Sequence, residues 1–226
     1  MNKTFVIAEA GVNHNGSDDL ALQLVDVAAR CGADAVKFQT FKADKLVRRG
    51  AAKAAYQQAA TGGGDQHSML AGLEMSESLH LRLFERCAEK GIEFMSTPFD
   101  EDAADFLVDL GMKRIKIPSG EITNHPFLRF LAGKDRPLIL STGMATLQEI
   151  VEATEVIRVE RMRLGLMAPL ESMLTILHCT SNYPAAPDDV NLRAMGTIGS
   201  ELGVPVGYSD HTLGLAVSTA AVARGA

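Results

Sequence analysis

Two lysines stand where apolar, strand-like runs give way to small and polar residues, and an ammonium group in such a place is suited to holding an anion. Lys37 lies in Ala35-Val-Lys-Phe-Gln39 and Lys116 in Arg114-Ile-Lys-Ile-Pro-Ser-Gly-Glu121. Successive side chains of a strand alternate between its two faces, so Lys116 turns away from the side taken by Ile115 and Ile117. Ser119 follows with a hydroxyl, and Gly120 allows a tight turn where a ligand can approach the backbone. Taken alone, each lysine also fits a solvent-facing strand position before an ordinary turn. Recurrence separates the two readings. Other apolar runs end in Glu9, in Gln39, in Ser96 and Thr97, in Ser141 and Thr142, in His178 and Thr180, and in Ser209, Asp210 and His211.

Two cations, several hydroxyls and glycine turns describe a receptor for phosphate or carboxylate, gripped by charge-assisted hydrogen bonds. A second chemistry is a Schiff-base aldolase, in which one strand lysine is desolvated and nucleophilic. Two lysines around one anion fit the first reading better. His211, in Tyr208-Ser-Asp-His211, can offer a neutral imidazole to a divalent metal, and Glu9 can serve as acid, base or second ligand. A lone histidine is more often structural than ligating. His14, in Asn13-His-Asn-Gly16, carries the same two readings, since loop histidines beside asparagine often only satisfy turns. His67, His80 and His125 read as surface or loop residues. There is no GxSxG elbow, P-loop or HExxH motif, so serine hydrolase, nucleoside-triphosphate and zincin chemistries have no support.

The elements that must carry these residues follow a repeating pattern. Phe5 to Ala8 reads as a short buried strand, and Ser17 as the cap of a helix with Ala21, Leu24, Val25 and Ala28 on its apolar face, stopped at Gly32. After the strand at Ala35 comes a long stretch, from about Phe41 to Met75, expected to be irregular. Ser76 caps a helix ending at Gly91, Glu93 to Thr97 is a strand, and Asp100 caps the next helix. Strands are predicted over Arg114 to Ile117, Pro137 to Thr142, Met173 to Cys179 and Val204 to Tyr208. Helices are predicted over Phe127 to Ala132, from a Thr146–Glu149 capping box onward, over Val190 to Leu202 and over Leu213 to Ala226. Arg158 to Ser172 has no clear period and fits either a helical extension or a surface insertion.

Strand and helix alternating seven times predict a parallel sheet covered by helices. A doubly wound sheet lacks its GxGxxG fingerprint after the first strand. A (β/α)8 TIM barrel fits better, because barrel active sites lie at the carboxyl ends of the strands, where the polar residues collect. The barrel is expected to be truncated before strand 8, closed either by residues beyond the sequence or by another chain covering strands one and seven. The 226 residues are read as one domain, 1–226. Hydrophobic residues at 46% and charged residues at 22% are ordinary for a chain able to bury a core. A formal net charge of -6 argues against nucleic-acid and acidic-membrane partners, so local cations must hold any phosphate. Cys31, Cys87 and Cys179 have no CxxC spacing and read as buried thiols of a reducing compartment, and the N-terminus is neither signal nor membrane span. The expected setting is the cytoplasm.

Seven segments, in order, resemble the N-acetylneuraminate (sialic acid) synthase family, which includes legionaminic acid synthases: Ile7-Ala-Glu-Ala-Gly-Val-Asn-His-Asn-Gly16, Asp34-Ala-Val-Lys-Phe-Gln-Thr40, Ser96-Thr-Pro-Phe99, Lys116-Ile-Pro-Ser-Gly-Glu121, Leu140-Ser-Thr-Gly-Met144, His178-Cys-Thr-Ser-Asn-Tyr-Pro184 and Gly207-Tyr-Ser-Asp-His-Thr-Leu213. The resemblance implies a TIM barrel that condenses phosphoenolpyruvate (PEP) with an open-chain N-acetylated amino sugar and water, releasing phosphate and a nine-carbon 2-keto acid. It implies that Lys37, Thr97, Lys116, Ser119, Ser141 and Ser209 hold PEP and that Gln39 and Tyr183 line the sugar pocket. Ser181 stands where some members have asparagine. Glu9, Lys116 and His211 are the implied catalytic residues, and His211 is one of two histidine ligands to Mn2+ or Mg2+. The family's second histidine and its antifreeze-like C-terminal domain, through which a homodimer partner completes the sugar site, have no counterpart in the sequence. An inactive fragment of such an enzyme is the alternative.

Overall fold

A computed structural model describes residues 3–226, which fall into two compact units, Met1–Lys113 and Arg114–Ala226. The first holds β1 (Ile7–Gly11), α1 (Asp18–Arg30), β2 (Ala35–Thr40), α2 (Ala43–Leu46), α3 (Ala55–Thr61), α4 (Gln66–Ala71), α5 (Glu77–Lys90), β3 (Glu93–Pro98) and α6 (Glu101–Asp109). Its strands form a parallel sheet in the order β1-β2-β3. On the helix side of that sheet Phe38 and Phe94 stack at 6.1 Å and Phe84 of α5 meets Phe94 edge-on. Side-chain caps from Ser17, Ser76 and Asp100 start α1, α5 and α6, each satisfying a backbone N–H that has no intrahelical partner. Arg86 of α5 grips both carboxylate oxygens of Asp26 on α1, at 2.8 and 2.9 Å, and its hydrogen bonding holds that carboxyl below the usual range.

The second unit holds β4 (Ile115–Ile117), α7 (His125–Ala132), β5 (Leu138–Ser141), α8 (Leu147–Arg163), α9 (Leu170–Met173), β6 (Leu174–Cys179), α10 (Arg193–Leu202), β7 (Val206–Ser209) and α11 (Ala216–Ala223). Its strands are parallel in the order β4-β5-β6-β7. Ile115, Ile117, Leu138, Leu140 and Ile176 are buried, as are Leu128 and Leu131 of α7 and Ile150 and Ile157 of α8. The expected capping box is present: Thr146 and Glu149 exchange side-chain and backbone hydrogen bonds at the start of α8.

Several expectations need correction. Phe5 and Val6 are exposed and β1 begins at Ile7, because Asp34 takes the Val6 N–H at 2.9 Å and ties the chain there to a side chain. The stretch from Phe41 to Met75 contains three short helices. Asp65 organises them, accepting from the backbone of Ser68 at 2.8 Å and Gly50 at 2.7 Å, while Glu74 accepts from Ala43 N at 2.7 Å. These bonds, led by Ser68, lower the Asp65 carboxyl to about 2. Arg158 to Ser172, which fitted either a helical extension or a surface insertion, is first a continuation of α8 to Arg163, supported by Arg158–Glu155 and Arg163–Glu160 pairs, and then a turn into α9. The helix expected from Val190 starts at Arg193, after a 3-10 turn at Pro187–Asp189. Cys31 is exposed at the end of α1, whereas Cys87 and Cys179 are buried. His80 is 2% exposed rather than on the surface. Among the described residues no helix is long and apolar enough to cross a membrane.

Candidate active site

In the first unit, alternation along β2 puts Lys37 and Gln39 on one face, and the register sets Glu9 of β1 opposite Lys37 and Thr97 of β3 opposite Gln39. Lys37 is 7% exposed, and its Nζ lies 2.5 Å from Glu9 Oε2 and donates to Thr97 Oγ1 at 3.3 Å. The Glu9 side chain is half exposed, so one carboxylate covers a buried cation at the strand ends. A β-bulge between Glu9 and Gly11 breaks the pairing at that point and re-aims the chain. Gly11, at φ +52°, takes a backbone conformation that strains any other residue, and a Cβ there would crowd Glu9 Oε1 at 3.0 Å and lie 3.8 Å from Gln39 Nε2. Glu9, Lys37, Gln39 and Thr97 are thus gathered, and Gly11 is a member of the group that motif reading missed.

The loop after β1 is fixed by His14. Its Nδ1 accepts from Gly16 N at 3.1 Å, the turn-satisfying one of its two readings. The ring is buried, and burial holds its pKa below the ordinary value. Gly16 approaches the end of α4 so closely that a Cβ would meet the Gly72 carbonyl oxygen at 2.6 Å.

In the second unit, Lys116 is also 7% exposed; its Nζ donates to Ser141 Oγ at 2.6 Å and to the Ile117 carbonyl at 3.0 Å. A buried ammonium group that meets a hydroxyl and a carbonyl is placed where charge-assisted hydrogen bonds could also grip an anion. Beside it, Ser119 Oγ accepts from Gly143 N at 2.8 Å and lies 3.4 Å from Cys179 Sγ. A Cβ on Gly143 would stand 2.1 Å from Ser181 Oγ and 3.1 Å from both Ser119 Oγ and Cys179 Sγ. Gly143 is therefore the floor on which Ser119, Cys179 and Ser181 converge. Ser209 pairs in register with Cys179 across β6 and β7.

Beyond β7, Asp210 ties the chain down by accepting from Thr212 N at 2.9 Å, Thr212 Oγ1 at 2.8 Å and Ser218 Oγ at 2.6 Å. His211 is oriented by Nδ1, which faces the Thr180 carbonyl at 2.7 Å and so carries the hydrogen. Nε2 is then the lone-pair nitrogen, the form a metal ligand requires. The Tyr183 ring lies 4.4 Å from the His211 ring, which brings these two expected residues together. Among the described residues, no group of three or more His, Cys, Asp or Glu is arranged to hold a metal ion, so His211 stands as one prospective ligand.

The sequence profile of the NeuB family matches residues 24–226. The chain is 55% identical over 223 residues to the N,N'-diacetyllegionaminic acid synthase of Legionella pneumophila, covering 98% of this chain and 61% of that protein. It is 46% identical to the enzyme of the same name from Campylobacter jejuni, covering 100% of this chain and 66% of that one. The crystal structure of N-acetylneuraminic acid synthetase from Leptospira borgpetersenii, in complex with citrate, matches 100% of this chain and 71% of its own at 34% identity, with a TM-score of 0.83. The architecture is accordingly the α/β fold of the TIM-barrel type. The chain spans about two thirds of the length of these curated relatives, or somewhat less. With the profile covering most of its residues, the chain belongs to the NeuB family.

Proposed function

We propose that the protein joins PEP, an N-acetylated amino sugar and water into a nine-carbon 2-keto sugar acid, with release of phosphate. The observation that carries this reading is the pair of buried lysines within β2 and β4, each 7% exposed and each contacting a hydroxyl. Lys37 and Thr97 in the first unit, and Lys116, Ser119, Ser141 and Ser209 in the second, are assigned to PEP. Gln39 and Tyr183 are assigned to the sugar, with Glu9 acting near it. The names borne by the relatives of highest quoted identity favour an N,N'-diacetylated 6-deoxy sugar, and thus a legionaminate-type product, over N-acetylmannosamine.

In this reading C3 of PEP forms a bond to the sugar's aldehyde carbon while water adds at C2, and the tetrahedral intermediate expels phosphate. The lysines neutralise and orient the trianion, an effect on positioning as much as on binding. In this reading a strand fixes each stem and a hydroxyl meets each ammonium group, and PEP competes with Glu9 for Lys37. His211 fits a divalent ion, Mn2+ or Mg2+, through Nε2. When bound, such an ion supplies Lewis-acid stabilisation of negative charge on the sugar oxygen. We further assign residues 1–226 to one PEP-binding domain, on its length, the enzyme to the cytoplasm, on its cysteine spacing and N-terminus, and the full-length protein to a homodimer, on the family resemblance.

Phosphate release by the full-length protein tests the reading, with PEP, Mn2+ and either the diacetamido sugar or N-acetylmannosamine. Release with the diacetamido sugar, and less with N-acetylmannosamine, is expected. No release with either sugar would overturn it, and substrate trapped on a lysine by borohydride would point to Schiff-base chemistry instead.

A further inference from the structure

A buried polar chain lies behind the residues gathered in the first unit. Thr40 directly follows Gln39, and Ser96 directly precedes Thr97, so alternation turns both toward the helix face of the sheet, opposite to Lys37, Gln39 and Thr97. Thr40 Oγ1 lies 2.7 Å from Ser96 Oγ and 2.8 Å from His80 Nε2, and His80 Nδ1 lies 2.8 Å from the Ser76 carbonyl at the start of α5. All three side chains are buried, Ser96 completely. One placement of hydrogens satisfies every group: Nδ1–H donates to Ser76, Thr40 donates to Nε2, and Ser96 donates to Thr40. The edge of Phe106 closes the ring in at 5.2 Å.

Lower on the same face the sheet is filled by the Phe38–Phe94 stack. Packing alone would be served as well by apolar residues at the strand ends, where a polar chain adds direction that an apolar contact lacks. We propose that His80 is a positioning residue: through Thr40 and Ser96 it fixes the carboxyl ends of β2 and β3, and so the placement of Lys37, Gln39 and Thr97. The inference rests on the assignment of those three residues to PEP and sugar made above. Burial favours neutral His80, with the Ser76 carbonyl and Glu77 acting the other way and Lys42 and His14 adding to burial. Protonation would place a hydrogen on Nε2 against Thr40 and reverse the chain.

The test uses the full-length protein and the variants Thr40→Val, Ser96→Ala, His80→Gln and His80→Phe, with PEP and sugar kinetics from pH 8 to 5.5. Thr40→Val, Ser96→Ala and His80→Phe are expected to raise the KM for PEP about tenfold, with a smaller effect on kcat, since the anchors move and the reacting groups stay. His80→Gln, whose amide oxygen can accept from Thr40, is expected to restore KM and to lose the part of the acid limb of kcat/KM that belongs to His80. If His80→Phe fails to fold, the Thr40 and Ser96 variants carry the same expectation. Wild-type KM values and pH profiles in those two variants, with only their melting temperatures changed, would overturn the inference and leave the proposed reaction standing. A wild-type protein that does not turn over PEP would overturn both.

Discussion

Single residues decide this site by what they exclude as much as by what they donate. Lys116 has given up water for Ser141 and the Ile117 carbonyl. Replacing it with alanine should cost about 100-fold in kcat/KM for PEP, given the strength of charged hydrogen bonds. A full-length Lys116→Ala enzyme that kept the wild-type rate would refute its assignment. Gly143 tests the same pocket from below. A methyl group at Gly143 must displace Ser181 and crowd Ser119, so Gly143→Ala should raise the KM for PEP about tenfold through misplacement alone. An unchanged KM would show that Ser119 does not hold the substrate. The lysines were legible in the sequence because their placement beside apolar residues and before Ser-Gly is local. Gly143 and Gly11 were not, because their meaning lies in side chains brought near them by other elements. His80 was misread for a related reason: a polar residue on a helix's buried side looks, in sequence, like one on its wet side.

Helix starts were mostly readable, since a cap and the first turn are neighbours in the chain; Ser17, Ser76, Asp100 and Thr146 all act as expected. Strand centres were readable too, but β1 slipped by two residues because Asp34, far along the chain, takes a backbone donor from Val6. The three short helices between β2 and α5 escaped notice because none has a long apolar period; Asp65 and Glu74 hold them by hydrogen bonds to backbone. Removing one of those anchors should loosen that stretch without melting the sheet. Asp65→Ala is expected to speed trypsin cleavage at Arg48, Arg49 or Lys53 while the main thermal transition stays within a few degrees. Unaltered cleavage would mean that the segment is held by other contacts.

For the molecule as a whole, acid should act in two stages. His14 and His80 are kept below the ordinary histidine value of 6.5, by burial first, so the unfolded chain takes up protons before the folded one. Their contribution is complete above that value and is lost as pH falls from 6.5 toward the lower folded values. Asp26 and Asp65 sit below the ordinary 3.8, so their share is lost only in stronger acid. Thermal melts should therefore decline between pH 6.5 and 5, and again below about pH 4. A melting temperature flat from pH 7 to 5 would contradict the histidine stage. The α/β repeat was plain from alternating periods, whereas the strand-end residues alone left anion binding and Schiff-base chemistry both open, and the reaction proposed above follows from the family resemblance.

A side chain at position 16 would run into the Gly72 carbonyl, so glycine there lets the turn after β1 lie against the close of the helical excursion before α5. A larger residue at position 16 would therefore strain the segment that leads from the strand bearing Glu9, whose carboxylate lies against Lys37.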